Sequence, residues 1–358
     1  MSSYSRVMRW KRLKRLNIVI TFIVLLLLLA GCGAVSKSSA VGEEEMIELS
    51  YAFFAPPNTF PAIQMEEWKE RLEERTDGRV QVNLFTGGSL LDANNMYDGV
   101  ASGVVDIGLS STTYDPGRFP LLAISDLPSG YENAAVASQV VSELIEKYDM
   151  EGLKDFKIIT SFATEPAHIQ SQNPIATVED LKGEQFRASG VLIPVTEVLG
   201  ASPVGMAQSE LPEALQTGIV NGYLSSREVL MDSKFADMVG YTTNYPLGIN
   251  TFVAVMNKDT WESLPNDIQN IINDLNVEMT LYAGEYLDSH VRESIDWSKE
   301  NHALEMIELT EDEKEQWDKK LVKLQEEYVE DVSDDGHPAE EYFNDLTELV
   351  EKYNNRSK

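Results

Sequence analysis

Two periodicities follow one another along this chain, and their order restricts the fold more than any other feature. Beyond Met46 the apolar residues Ile47, Leu49 and Tyr51 alternate, as in a strand with one buried face. Pro56-Pro57-Asn58 turns the chain. Ile63, Met65, Trp68 and Leu72 then fall on one face of a helix that Thr76-Asp77-Gly78 ends. A strand over 80–85 leads into Gly87-Gly88-Ser89, a helical segment surrounds 94–101, and a further strand covers 104–109. Strand, helix, strand in that order predicts a largely parallel sheet covered by helices, the α/β class.

The same reading continues downstream. A helix over 134–148 carries Ala137, Val140, Val141, Leu144 and Ile145 on one face. Residues 156–169 form a long extended segment expected to cross between domains, and 245–256 an extended segment expected to cross back. Pro265-Asn266-Asp267 opens a helical region of roughly 30 residues, which at ~1.5 Å each spans ~45 Å, enough to bridge two lobes. Thr310 with Glu313 matches a capping box before another amphipathic helix, and a helix from Pro338 to Leu349 closes the chain.

The N-terminus reads as an address. Six basic residues between Arg6 and Arg15 precede an apolar run from Ile18 to Leu29, too short and too unevenly flanked for an ordinary spanning helix. Leu29-Ala30-Gly31-Cys32 resembles the lipobox of bacterial lipoproteins. That resemblance implies a signal peptide over 1–31, lipid on Cys32 and a membrane-anchored, extracytoplasmic protein. The small polar stretch 32–45 reads as a flexible tether. Cys32 is the only cysteine, which removes disulfides and cysteine-based metal sites. With 29 basic and 59 acidic residues the net charge is −30; loss of the six leader cations makes it 23 − 59 = −36. Nucleic acid is excluded as a partner, because phosphate binding needs clustered positive charge.

The stretch from Thr177 to Arg227 carries the functional signal. Thr177 reads as the N-cap of a short turn that Gly183 breaks, and Arg187 sits near the end of the extended segment that follows; a helix over 210–217 and a strand over 219–224 come after it. On composition alone, Arg187 pairs with one of the abundant carboxylates. The ordered set Asp180-Leu181-Lys182-Gly183, Phe186-Arg187, Gly200-Ala201-Ser202-Pro203-Val204 and Ala214-Leu215-Gln216-Thr217-Gly218-Ile219-Val220-Asn221-Gly222 resembles the solute receptors of TRAP transporters, the tripartite ATP-independent periplasmic, DctP-like family. Arg75-Thr76-Asp77-Gly78-Arg79-Val80, Ser102-Gly103-Val104-Val105-Asp106-Ile107 and Asp126-Leu127-Pro128 extend the resemblance over roughly residues 46 to 330.

The resemblance implies a two-lobed, periplasmic-binding-protein-like (Venus flytrap) fold with crossing strands and a long interdomain helix. Lobe I is expected over 46–165 plus 252–290, and lobe II over 166–251 plus 291–358 with the C-terminal helices. It also implies capture of a small organic acid and its delivery to TRAP membrane permease subunits, with no cofactor, no metal and no catalysis. In the family the matching arginine holds the solute carboxylate, the role expected of Arg187, since guanidinium offers a carboxylate two parallel N–H bonds.

Ser110, Ser111, Thr112 and Tyr114 follow the strand 104–109. On their own they read equally as a loop with turn chemistry; the resemblance draws Ser111 and Tyr114 to the site. Phe53 and Tyr223 are candidates for apolar or aromatic walls, and Ser225 and His168 for polar contacts. His290 and His302 read as surface residues. The sequence departs from the family at Ala167 and Ser225, where other members often place a basic residue and an asparagine, and at Asn221 in place of aspartate. A second charged clamp is therefore missing, and the expected solute is a monocarboxylate with an apolar or aromatic body. An ATP-driven importer's receptor, or a lipid-anchored sensor or enzyme lobe, are the alternatives. No Gly-x-Ser-x-Gly elbow, phosphate loop or dinucleotide fingerprint supports the enzyme.

Overall fold

The alternating residues of the first segment become β1 (Ile47–Phe53), whose inward Tyr51 meets Trp68 of the helix Phe60–Arg75 edge-on at 5.5 Å. The structure, a computed structural model, describes residues 46–356; the leader, the tether and Cys32 lie outside the described residues. β1 pairs in parallel with β2 (Val80–Phe85) and β3 (Ile107–Ser111). β4 (Phe156–Ala163) completes this sheet through β10 (Thr251–Asn257), which lies antiparallel to β3 and β4, giving the order β2-β1-β3-β10-β4. The second sheet holds β5 (His168–Ser171), β6 (Gln185–Ala188), β7 (Ser202–Gly205), β8 (Gly222–Ser225), β9 (Tyr241–Thr243) and β11 (Glu305–Ile307), in the order β11-β9-β5-β8-β6-β7. β6 runs parallel to β7 and β8, while β5 is antiparallel to β8 and β9. The two sheets form separate lobes, each with its own apolar core.

The expected crossings are present. The chain leaves the first sheet at Ala163 and enters the second at His168; it leaves the second at Thr243 and returns at Thr251. The two links pair with each other: Thr164 N donates to Asn250 O (3.0 Å), Ala167 N to Gly248 O (2.7 Å) and Leu247 N to Ala167 O (2.9 Å). Gly248 is required there, because a Cβ would stand 2.1 Å from Asp126 O.

The long helix, Asn266–His302, has 37 residues. Its first turns bury Ile268, Ile272, Leu275, Met279, Ala283 and Leu287 in the first core. Further on, Ser294 Oγ donates to Arg227 O (2.8 Å) and Trp297 packs on the second lobe. The expected boundary at residue 290 falls inside this unbroken helix. The last helix, Ala339–Asn354, also departs from its expected place in lobe II. Tyr342, Leu346 and Val350 fall at helical spacing and pack into the first core, and Glu143 holds Lys352 (2.9 Å) and Tyr353 Oη (2.7 Å). The helix before it, Glu311–Asp334, explains the return, placing Trp317 and Leu321 in the second core and Val329 and Val332 in the first.

Two strand ends also differ. Ser110 and Ser111 are inside β3 rather than after it, because they pair with Val253 and Phe252 of β10. The strand expected from residue 219 starts at Gly222, after the helix Leu211–Thr217 and its left-handed Gly218. No helix among the described residues is long and apolar enough to cross a membrane.

Candidate functional site

A cavity opens between the lobes where β1 and β3 of one sheet and β6 and β8 of the other run out. In α/β sheets this is the crevice outside the carboxyl ends of parallel strands, where side chains from several strands converge. It contains about 570 Å³ of space free of protein atoms, open solvent at its mouth included. Phe53, Phe54, Phe60 and Phe252 supply aromatic walls, and Thr59, Ser111, Thr113, Tyr114, Thr164, Ser189, Gln208, Ser225 and Asn250 a polar lining. Arg187 is the only basic residue of the lining; Glu228 and Asp232 are the acidic ones.

Arg187 projects from β6 and is 1% exposed. Its Nε donates to Met206 O (3.0 Å) and its Nη2 to Tyr114 Oη (3.1 Å). No carboxylate lies within ion-pair distance of it among the described residues, so the ordinary structural salt bridge is absent. Tyr114 Oη also accepts from Gln208 N (3.3 Å). Both of its lone-pair positions are thus occupied, which leaves its own hydrogen free to donate. The Tyr114 ring stands edge-on to Phe54 at 5.2 Å. One guanidinium edge and one hydroxyl donor, buried beside phenyl walls, suit an anionic group carried on an apolar body.

The other sequence candidates divide. Ser111, Ser225 and Phe53 line the cavity with Arg187 and Tyr114. Ser111 Oγ accepts from Thr113 N (3.4 Å), fixing the turn, and the residue also lines the cavity. Tyr223 does not line the cavity. Its hydroxyl donates to Gln170 Oε1 (2.6 Å) and its ring packs on Phe235 at 5.2 Å, inside the second lobe. His168 is outside the lining as well; burial, with Arg227 nearby, pushes its pKa down to about 4, so it is neutral near pH 7.

Sequence reasoning missed three acidic groups around the cavity. Glu165, on the link between lobes, forms a two-point pair with Arg227 (Nε–Oε1 3.0 Å, Nη2–Oε2 2.9 Å). Asp232 accepts from Phe60 N (3.1 Å) and meets His290 Nε2 at 2.7 Å, so His290 is half-buried at the site rather than on the surface. The contact with Asp232 raises the His290 pKa against the opposing effect of burial. Glu228 is 5% exposed, and burial, aided by the charges of Asp232 and Glu165, pushes its pKa up to about 8. The sequence signal for this group was Ser226-Arg227-Glu228, an ion-rich step directly after a strand end. No group of His, Cys, Asp and Glu among the described residues is arranged to hold a metal ion.

Comparison with known proteins places this geometry. The model of a family described as bacterial extracellular solute-binding protein, family 7, matches residues 51–331. A crystal structure of a TRAP periplasmic solute-binding protein from Desulfovibrio salexigens is 40% identical, with a TM-score of 0.78 over 86% of this chain and 97% of that one. That protein is in an open complex, with the C-terminus of a symmetry mate in its ligand-binding site. A TRAP solute-binding protein from Rhodoferax ferrireducens, in complex with copurified benzoate, is 23% identical with a TM-score of 0.82, covering 87% of this chain and 100% of that one. At that identity the likeness shows the fold alone. The C4-dicarboxylate-binding protein of Bacillus subtilis is 22% identical over 302 residues, 80% of this chain and 83% of its own.

Proposed function

The chain belongs to the bacterial extracellular solute-binding proteins of family 7, and from that premise we propose that it captures an organic acid by its carboxylate on Arg187. It is a TRAP solute-binding protein, a receptor class rather than an enzyme class. The observation that carries the proposal is a fully buried guanidinium with no carboxylate partner among the described residues, facing an aromatic-walled cavity between two lobes. A buried cation without a counter-ion is costly, and a solute carboxylate supplies the missing charge. Ser111 and Ser225 complete the polar contacts, and Phe53 with its neighbours covers the body of the solute. Tyr223 and His168 act from behind, holding the second sheet. The solute-loaded receptor delivers its cargo to TRAP membrane permease subunits.

The preferred solute is a monocarboxylate with an apolar or aromatic body. Arg187 is the only basic residue of the lining, and Arg227, which follows the end of β8, is already held by Glu165, so a second carboxylate meets no free cation there. A thermal-shift series of benzoates and phenyl-substituted acids against succinate and malate tests this. Solute at ~100 times its Kd adds ~2.7 kcal/mol of stability, several degrees in Tm. Stabilisation by the dicarboxylates alone refutes the preference, and stabilisation by no carboxylate refutes the anchor.

The lipid anchor is part of the same reading. Cys32 carries the lipid, holding the receptor at the outer face of the cell membrane near the permease. Detergent partitioning of the expressed protein checks it: Cys32→Ala is expected in the aqueous phase, and a variant still lipid-modified rules the anchor out.

A further inference from the structure

Around the cavity, acidic groups outnumber the cations that neutralise them. Glu165 is paired with Arg227, and Asp232 with His290 of the long helix. Glu228 is left over: it lines the cavity, accepts a hydrogen bond from Ser226 Oγ, and meets no basic side chain among the described residues. In the same lining, Asn250 is 8% exposed and its amide oxygen has no hydrogen-bond partner among the described residues. We propose that Glu228 and Asn250 form an ammonium subsite, so that the solute is a zwitterion: an organic acid whose apolar or aromatic body also carries a cationic amine.

The inference rests on the reading of Arg187 as the carboxylate anchor, and adds to it. A cavity wall with one unpaired guanidinium and one unpaired carboxylate is complementary to a molecule with both charges. A plain aromatic acid satisfies Arg187 but leaves Glu228 without a cation and the Asn250 oxygen without a donor, the latter a loss comparable to an unmade buried hydrogen bond. An ammonium group supplies three donors and a full charge, and the faces of Phe54, Phe60 and Phe252 add cation–π attraction where they border it. With the cavity empty, Glu228 holds a proton near pH 7, because burial and the carboxylates of Asp232 and Glu165 disfavour its charge. An ammonium beside it reverses that balance. The proton leaves Glu228 for the buffer, and the pair formed is a carboxylate with an ammonium.

Calorimetry at pH 7 on two matched pairs tests this: phenylalanine against 3-phenylpropionate, and 4-(aminomethyl)benzoate against 4-methylbenzoate. The pairs differ in the reach from carboxylate to amine. In at least one pair the amine is expected to bind tenfold or more tighter. It should also release close to one proton, read from two buffers of different ionisation enthalpy. In Glu228→Gln that preference should shrink toward unity and the proton release disappear. 3-Phenyllactate replaces the amine with a hydroxyl; binding as tight as the better amine shows that Glu228 acts as a neutral partner and overturns the proposal. So does the absence of an amine preference in both pairs of the wild type, a measurement that does not depend on any variant folding. Arg187→Ala separates the two readings, since it is expected to lose both members of each pair. If it keeps them, the anchor fails rather than the ammonium subsite.

Discussion

Arg187 is held by two contacts that leave it in place when solute departs, Met206 O and Tyr114 Oη, and neither carries a negative charge. Removing it leaves a bound carboxylate buried without a partner, at a cost of ~3–5 kcal/mol, or roughly a hundred- to several-thousand-fold in affinity at ~1.4 kcal/mol per tenfold. Arg187→Lys is expected to bind poorly too, because an ammonium keeps the charge and loses the planar fork. Calorimetry with the acid that stabilises the wild type most reads both, and near-native affinity in Arg187→Ala removes the assignment. This residue was legible because a motif surrounds it and because it lies near a strand end that borders the crevice. Ser111, Ser225 and Phe53 share that second property. Tyr223 shares a strand with Ser225 and misled for that reason: it pairs with Arg187 and Gln170 two residues back from the strand end, where Phe235 covers it. Glu165 and Arg227 stand 62 residues apart, so nothing local in the sequence announces their pairing.

At the scale of elements, the junction between the long helix and the N-terminus of the helix Ala134–Lys147 offers a direct test of packing. Asp288 accepts from Ala134 N (2.8 Å) and Ala135 N (3.2 Å), and Asn133 accepts from Val136 N (2.9 Å). Together they satisfy the first donors of that helix and oppose its dipole. The two helices come this close because residue 284, one turn before Asp288, is glycine; a Cβ there would stand 2.6 Å from Ala135 Cα. Two effects then compete in Gly284→Ala. Helix propensity favours alanine by ~1 kcal/mol, while the clash is with backbone that cannot rotate away and costs ~1–3 kcal/mol. The clash is expected to win, giving a lower urea midpoint with an unchanged slope, and a variant as stable as wild type would mean that the helices slide apart freely. The long helix was readable from its apolar spacing. The lobe that the last helix packs on was not, because the stripe Tyr342, Leu346 and Val350 shows that a face is buried and not against what.

For the whole molecule the question is how the lobes meet, and two glycines frame the answer. Gly248 keeps the paired links between lobes close to Asp126, whereas Gly190, three residues beyond Arg187, lies against Thr113 of the other lobe. The two crossing segments were legible as long extended stretches, but this contact joins loops that no periodicity marks. A Cβ on Gly190 would stand 2.7 Å from Thr113 Cβ and Cγ2, and its φ of 54° is a left-handed conformation. The conformational cost of Gly190→Ala, ~1–2 kcal/mol, applies however the lobes are arranged. The clash applies only when they are together, and at ~1–3 kcal/mol it lowers affinity roughly five- to hundred-fold. Solution scattering is expected to show a smaller radius of gyration for the wild type with saturating solute than without, and a smaller contraction or none for Gly190→Ala. Thr113→Gly removes both clashing atoms, so the double variant should regain closure and most of the affinity while keeping the stability loss of the glycine change. If Gly190→Ala contracts and binds as the wild type does, closure does not bring these loops into contact; if the double variant stays open and weak, the defect comes from the backbone of the loop that carries Arg187.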